Sequence, residues 1–212
     1  MTVPGLAVTE ADGVLTIRFD RPEVFNALTG EMTLGTAELL ERASARDDVR
    51  VVVLTGTGPA FSTGADIGGE DAHERFDVRA LDAANRLVRS ITACDKPVVA
   101  GVNGIAAGVG LSAALACDLA VCAESASLLL AFARVGLMPD GGATATVAAA
   151  IGRPRAMRMA LLARSTPRPC TTPRRRASGR SGRRPAGTTP RRPPPRGRRR
   201  GRPSSPPPRR RR

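Results

Sequence analysis

Residues 97–110 read PVVAGVNGIAAGVG and carry the pattern from which the fold class follows. Residues 97–102, which include three valines, predict a buried strand that ends in an Asn103-Gly104 turn, and the mostly small residues 108–117 predict a helix. Both lie within 21 residues that carry no charge, a length that a transmembrane helix also requires. Four glycines interrupt this uncharged segment, so we interpret it as part of a soluble core.

A strand followed by a glycine-containing loop also occurs earlier in the chain. Residues 49–54 predict a strand whose apolar run is typical of burial on both faces, and the loop at 60–66 follows it. This loop and the one at 103–110 come directly after strands, and α/β sheets bind ligands at the carboxyl ends of their strands. Backbone N–H groups from two adjacent loops can stabilise an oxyanion. Tight strand-to-helix turns would explain the same glycines.

The rest of the sequence up to residue 163 alternates between strand and helix patterns. Further strands are predicted at 6–8 and 14–19, around an Asp12-Gly13 turn, and at 119–123 and 128–132. Helices are predicted from a Thr29 cap to about Ala43, over 73–93 with Leu81 among its apolar positions, after the turn at 139–142, and over 153–163. This alternation predicts an α/β fold with right-handed crossovers.

Several classes of site are disfavoured by the composition. The glycine-rich segments contain no G-K-[ST], which argues against a P-loop, and no G-x-G-x-x-G opens a helix after the first strand. The four Cys form no C-x-x-C pair, so neither a zinc site nor a disulfide framework is expected, and a reducing cytoplasm fits. The single His73 lies among charged residues, which is typical of a solvated helix face. The first 12 residues lack the features of a secretory signal.

The net charge of +14 divides sharply along the chain. Residues 1–163 carry 14 basic and all 19 acidic residues, a net charge of −5, whereas residues 164–212 carry 19 Arg and no acidic residue. The second part contains no Leu, Ile, Val, Phe or Met and has almost nothing to bury. We therefore predict a folded core over 1–163 and a disordered Arg/Pro-rich tail over 164–212.

Four segments together resemble one protein family. They read RPE…NAL at 21–28, FSTGADI at 61–67, VNGIAAGVG at 102–110 followed by ACD at 116–118, and VGLMPDGG at 135–142. In this order and spacing they resemble signatures of the enoyl-CoA hydratase/isomerase (crotonase) superfamily, from about Val14 to Leu162. The resemblance implies a crotonase-like core of repeated ββα units and an enzyme of fatty acid metabolism that acts on acyl-CoA. It implies no metal and no cofactor other than the coenzyme A of the thioester substrate.

The resemblance also implies roles for individual residues. The N–H groups of Ala65 and Val109 would form an oxyanion hole for the thioester carbonyl, which acidifies the α-carbon of the acyl group. Positions that match the coenzyme A or acyl pocket are Val24, Ala27, Thr63, Asp66, Ile67, Ile105 and Gly108. From its side-chain chemistry, Asp66 is better explained as a cap on the turn that follows the loop.

The departures from the family pattern favour isomerisation over hydration. Ser112 and Phe132 occupy the positions where the hydratases of the family have Glu, and hydration needs two carboxylates. Asp140 matches the position of the single catalytic acid in some isomerases, with the 1,2-epoxyphenylacetyl-CoA isomerases as the nearest pattern and the Δ3,Δ2-enoyl-CoA isomerases beside it. A single carboxylate suffices to move a proton between two carbons. The alternative role for Asp140 is an N-cap on a helix that begins at Gly141.

The resemblance stops near Leu162-Ala163. Family members continue with helices that close the acyl pocket and pack subunits into trimers or paired trimers. We expect apolar surface to be exposed in their absence, and the chain to be weakly active or inactive. The tail is interpreted as the product of a shifted reading frame in a G/C-rich gene. The alternative is a basic arm, on a non-catalytic fragment, that binds nucleic acid or anionic lipid without sequence preference.

Overall fold

The computed structural model describes residues 2–68 and 78–164. The predictions for His73, for the start of the second helix and for all of the tail except Arg164 lie outside these residues. The uncharged segment at 97–117 forms two strands and a helix of nine residues. In the described part of the chain, no helix is both long enough and apolar enough to cross a membrane.

Strands and helices alternate along the described residues, as the sequence predicts. The strands are β1 (Leu6–Ala11), β2 (Val14–Phe19), β3 (Val51–Gly56), β4 (Ala60–Ser62), β5 (Val98–Val102), β6 (Ile105–Ala107), β7 (Leu119–Cys122) and β8 (Ser127–Leu129). The helices are α1 (Gly30–Ser44), α2 (Val78–Ala93), α3 (Gly108–Ala116), α4 (Ala143–Ile151) and α5 (Arg153–Leu162), and 3₁₀ turns cover Pro22–Val24 and Phe132–Arg134.

The larger sheet has five strands in the order β1-β2-β3-β5-β7. β1 and β2 form the predicted antiparallel hairpin, and its turn residues Asp12 and Gly13 have left-handed φ angles of 52° and 80°. All other neighbours pair in parallel, so that Val99 of β5 lies between Val53 and Leu119. The carboxyl ends of β3 and β5 therefore lie side by side.

The prediction that β3 is buried on both faces is wrong for one face. Val52 and Leu54 are fully buried, but Val51 and Val53 on the opposite face are partly exposed. β-Branched residues favour strands whether the face of the sheet is buried or exposed to solvent. An apolar run therefore does not distinguish full burial from partial burial.

A second, three-stranded parallel sheet runs through both predicted loops. Its order is β4-β6-β8, with Ala60 paired to Ile105 and Ile105 to Ser127. The prediction of plain loops at 60–66 and 103–110 is therefore incomplete, because each contains a strand of three residues. Strands this short leave no periodicity in the sequence, and only their pairing with distant residues makes them strands.

The helices and both sheets share one hydrophobic core. Thr29 caps α1 as predicted, because its Oγ1 accepts a hydrogen bond from the N–H of Met32 (3.1 Å). Met32, the helix residue Leu87 of α2, and Phe19 are fully buried in this core. The rings of Phe19 in the larger sheet and Phe61 in the smaller one pack edge to face, 5.4 Å apart.

Two local predictions are wrong. Leu81, expected on the apolar side of the second helix, is 48% exposed. The strand expected at 128–132 ends at Leu129, and Phe132 lies in the 3₁₀ turn instead. In each case, the apolar character of the residue did not indicate which parts of the chain would pack against it. Apolar side chains are also exposed in the described part of the chain. Its exposed apolar residues include Val135, Leu137, Met138, Met157, Leu161 and Leu162.

Candidate active site

Two glycine-containing segments, residues 63–66 and 107–110, lie against each other and are called the paired loops below. A Cβ atom on Gly64 would lie 2.9 Å from the carbonyl oxygen of Ala107 and 3.3 Å from the nitrogen of Val109. The φ angle of Gly64 is 99°, which side chains rarely tolerate. Glycine at this position therefore lets the two backbones come into direct contact at the carboxyl ends of β4 and β6.

A parallel β-bridge between Leu28 and Ala65 sets the direction of the N–H group of Ala65. The N–H of Leu28 donates to the carbonyl of Gly64 (2.7 Å), and the N–H of Asp66 donates to the carbonyl of Leu28 (2.9 Å). In such a parallel bridge the residue between the two bonded groups turns its own N–H to the other edge of the strand. The N–H of Ala65 therefore faces away from Leu28.

The N–H group of Val109 has no acceptor within its own helix. Val109 lies in the first turn of α3, where backbone N–H groups have no acceptor within the helix. The amino end of a helix also carries a partial positive charge, which favours a bound anion. The structure thus places both predicted oxyanion donors on the paired loops.

Asp140 lies on a segment, residues 133–142, that is called the Asp140 segment below. Its backbone carbonyl lies 3.2 Å from the Oγ of Ser112 on α3. A Cβ atom on Gly141 would lie 2.9 Å from the Cβ of Ser112 and 3.3 Å from Cγ2 of Val88. The segment therefore packs directly on the helix that begins with Gly108 and Val109.

The carboxyl group of Asp140 is partly buried. Its Oδ1 atom is buried and has no hydrogen-bond partner in the part of the chain that the structure describes. Burial raises the pKa of this carboxyl above its ordinary value of 3.8, and the backbone N–H of Asp140 opposes the rise. The predicted alternative role, an N-cap, is wrong. α4 begins at Ala143, and its N-cap residue is Gly142, with no side-chain capping bond.

Ser112 and Phe132 are both buried at the positions where the family resemblance places Glu in hydratases. Ser112 is fully buried in α3, and its Oγ lies within hydrogen-bonding distance of the carbonyls of Gly108 (3.3 Å) and Asp140. The ring of Phe132 comes within 4.0 Å of the position of a Cβ atom on Gly108. An apolar ring and a bonded hydroxyl thus replace two carboxylates beside the amino end of α3.

The residues predicted for the coenzyme A or acyl pocket divide into two groups. Val24 and Ile67 are exposed apolar side chains, Ala27 is buried, and Thr63 donates through both N–H and Oγ1 to the carbonyl of Phe25. These four residues, with Asp66 and Gly108, lie on or beside the paired loops. Ile105 lies apart from them, at the amino end of β6 beside Ala60.

Asp66 has the turn-capping contact that its side chain predicts. Its Oδ1 accepts a hydrogen bond from the N–H of Gly68 (3.1 Å). Its Oδ2 forms an ion pair with Nη1 of Arg21 (2.8 Å), which sequence reasoning did not anticipate. Arg21 stands in a recognised motif, but nothing in the sequence indicates a partner 45 residues away.

Two asparagines of the sequence motifs hold the start of β4, a role that sequence reasoning also missed. Nδ2 of Asn26 donates to the carbonyls of Thr57 (2.9 Å) and Ala60 (2.7 Å). Nδ2 of Asn103 donates to the carbonyls of Gly58 (2.8 Å) and Ala60 (3.1 Å). Asn26 is fully buried with a φ angle of 57°, a conformation that Asn tolerates better than most residues. The only signal in the sequence is an Asn beside a predicted turn in each motif.

Known proteins resemble this chain in sequence and in fold. Residues 9–168 match the sequence profile described as Enoyl-CoA hydratase/isomerase. Over 155 residues the chain is 43% identical to a probable enoyl-CoA hydratase of Rhodobacter capsulatus, which covers 72% of this chain. The chain is also 37% identical, over 155 residues, to the 1,2-epoxyphenylacetyl-CoA isomerase of Escherichia coli (strain K12). This match covers 71% of the chain. The chain spans 59% of the length of each relative.

A solved structure extends the likeness to the backbone. The crystal structure of an enoyl-CoA hydratase from Mycobacterium avium subsp. paratuberculosis K-10 matches with a TM-score of 0.72 and 48% identity. The match covers 78% of this chain and 63% of that chain. The fold of the chain is therefore similar to that of this enoyl-CoA hydratase structure.

Proposed function

The chain belongs to the enoyl-CoA hydratase/isomerase family, and from this premise we propose that it acts on an acyl-CoA thioester as an isomerase. In the proposed reaction, the enzyme shifts a double bond or opens a ring through an enolate intermediate. Ala65 and Val109 stabilise the enolate oxygen, and Asp140 moves the proton. The observation that carries the proposal is the buried Oδ1 of Asp140, which has no hydrogen-bond partner among the described residues.

The paired loops supply the electrostatic part of the reaction. A thioester carbonyl that accepts hydrogen bonds from Ala65 and Val109 gains negative charge as the α-proton leaves. Donors already oriented toward that charge stabilise the transition state more than the ground state. The partial positive charge at the amino end of α3 acts in the same direction. The exposed apolar side chains of Val24 and Ile67 are proposed to contact the coenzyme A or acyl part of the substrate.

Asp140 supplies the proton transfer. A carboxyl with a raised pKa is a stronger base than an exposed one, and at any given pH a larger fraction of it carries the proton that it has to deliver. Isomerisation requires only that the same group takes a proton from one carbon and delivers it to another. The buried ring of Phe132 at the amino end of α3 keeps this region apolar.

Hydration is the competing reaction, because the relative from R. capsulatus is named a probable hydratase. Addition of water needs one group to activate the water and another to deliver a proton. Ser112, whose hydroxyl lies against two carbonyls, and the apolar Phe132 are poor substitutes for these two groups. This chemistry favours isomerisation.

Assembly into the trimers or paired trimers that the family resemblance implies is part of the same proposal.

The replacement Asp140→Asn tests the proposal. Isomerisation of a 3-enoyl-CoA, followed by the absorbance of the conjugated product, should fall by about 100-fold or more, the usual contribution of a general acid–base. Binding of cinnamoyl-CoA, measured by calorimetry, should persist because the paired loops are unchanged. Asp95→Asn, at an exposed carboxyl, is the matched control. Unchanged isomerisation in Asp140→Asn, or faster hydration of crotonyl-CoA than isomerisation by the unsubstituted chain, would contradict the proposal.

A further inference from the structure

We propose that Arg21 is a positioning residue that orients the oxyanion donor at Ala65, a role that rests on the proposed function. The guanidinium of Arg21 lies between two segments of the site. Its Nη1 donates to the carbonyl of Ala27 (2.9 Å) and to Oδ2 of Asp66 (2.8 Å). The side chains of the ion pair are only 25% and 21% exposed. Partial shelter from water makes such a pair stronger than one on the open surface.

The bond from Arg21 to the carbonyl of Ala27 is linked to Ala65 through two peptide groups. The carbonyl of Ala27 belongs to the peptide group that also carries the N–H of Leu28, and this N–H donates to Gly64 (2.7 Å). The carbonyl of Gly64 belongs in turn to the peptide group that carries the N–H of Ala65. Because a trans peptide is planar, its C=O and N–H point in opposite directions. The bond to Gly64 therefore sets the direction of the N–H of Ala65.

The second contact of Arg21 holds the other side of Ala65. Asp66 follows Ala65 directly, its N–H donates to the carbonyl of Leu28 (2.9 Å), and its carboxylate pairs with Arg21. One guanidinium thus holds the peptide group of Ala27 and the residue after Ala65 at the same time. With Nη1 engaged by both groups, Arg21 serves the site by orienting the loop, without touching the reacting atoms.

The cost of losing Arg21 should appear in the chemical step. Removal of an oxyanion donor typically lowers kcat by 10²–10³. If the N–H of Ala65 remains but is less well aligned, kcat should fall by less, about tenfold. Ground-state binding of the thioester depends on the hole to a smaller extent, so KM should change by less than about threefold.

The test compares Arg21→Gln and Asp66→Asn with Arg86→Gln in the full chain. Asp66→Asn keeps an oxygen that can accept from Gly68 and removes the charge that pairs with Arg21. Arg86 forms a two-bond ion pair with Glu41 between α1 and α2, two helices that contribute no residue to the paired loops. The measurements are kcat and KM for a 3-enoyl-CoA and the ¹⁵N order parameter of the Ala65 amide. The latter should fall from about 0.85 toward 0.6 in the two site variants only.

The outcomes separate this proposal from the proposed function. Equal kcat and equal Ala65 order parameters in all three variants, or a lowered melting temperature without either change, would overturn the role of Arg21. Isomerisation as fast in Asp140→Asn as in the unsubstituted chain would overturn the proposed function alone. The order parameter of Ala65 would then decide the role of Arg21 by itself.

Discussion

The two regions that form the candidate site are held in place by different means. The paired loops are fixed by main-chain hydrogen bonds and by the ion pair of Arg21, and the amides of Asn26 and Asn103 hold the start of β4, which precedes the first of them. The Asp140 segment is exposed from residue 133 to 138, and Met138 is 85% exposed. Its contacts with α3 run through Ser112 and Gly141.

The difference between the two regions agrees with the role proposed for each of them. An oxyanion hole stabilises charge best when its donors are already oriented, so the paired loops gain from rigidity. A carboxyl that accepts a proton at one carbon and releases it at another has to reach both. The exposed residues 133–138, held to the end of α5 by the bond from Arg134 to the carbonyl of Ala163, leave space for that movement. We infer that the polarising half of the site is rigid and the proton-transferring half is adjustable.

The largest effect expected from this contrast is on stability, in Gly64→Ala. The new Cβ would meet the carbonyl of Ala107 at 2.9 Å, at a φ angle of 99°. Strain and overpacking together should lower the free energy of unfolding by about 3 kcal/mol. Gly136→Ala in the Asp140 segment is the matched control, because its φ angle is 69° and nothing lies within 4 Å. It should cost about 1 kcal/mol. Equal losses in urea denaturation would show that the two regions are equally rigid.

A smaller effect is expected from Ser112→Ala, which removes the hydroxyl beside the carbonyl of Asp140. Loss of one buried hydrogen bond should cost about 1 kcal/mol of unfolding free energy. Ser90→Ala is the matched control, because Ser90 is also buried in a helix and donates to a carbonyl of its own helix, Leu87 (2.8 Å). Both variants should lose similar stability, but only Ser112→Ala should lower kcat. A decrease of kcat in both would mean that the hydroxyl of Ser112 does not act through Asp140.

The smallest expected effect is a pH-dependent gain of stability in Asp140→Asn. Since burial raises the pKa of Asp140 above 3.8, the folded state binds this proton more tightly than the unfolded state. The stability of the unsubstituted chain should therefore fall as the pH rises from the ordinary value through the raised pKa. Asp140→Asn avoids this cost, so it should be more stable at neutral pH and lose that advantage below about pH 4. Denaturation midpoints measured across this range would check it. A constant difference at all pH values would place Asp140 in a water-exposed setting.

Much of the fold was predictable because its signals are local. The Asp12-Gly13 hairpin, the Thr29 cap and the run of apolar residues before each site loop depend on neighbours in the sequence. The three-residue strands β4 and β6 were not predictable, because they exist only through pairing between residues about 45 positions apart. For the same reason, the ion pair of Arg21 with Asp66 had no signal in the sequence.

The sequence by itself determined the family, the α/β class and the candidates Ala65, Val109 and Asp140, since these rest on residue types at fixed spacings. Tertiary structure alone decided what those candidates can do. It turned the N–H of Ala65 away from Leu28, and it buried Oδ1 of Asp140 without a partner among the described residues. The physical reason is that the direction of an N–H group and the pKa of a carboxyl depend on neighbouring atoms, which distant parts of the chain supply.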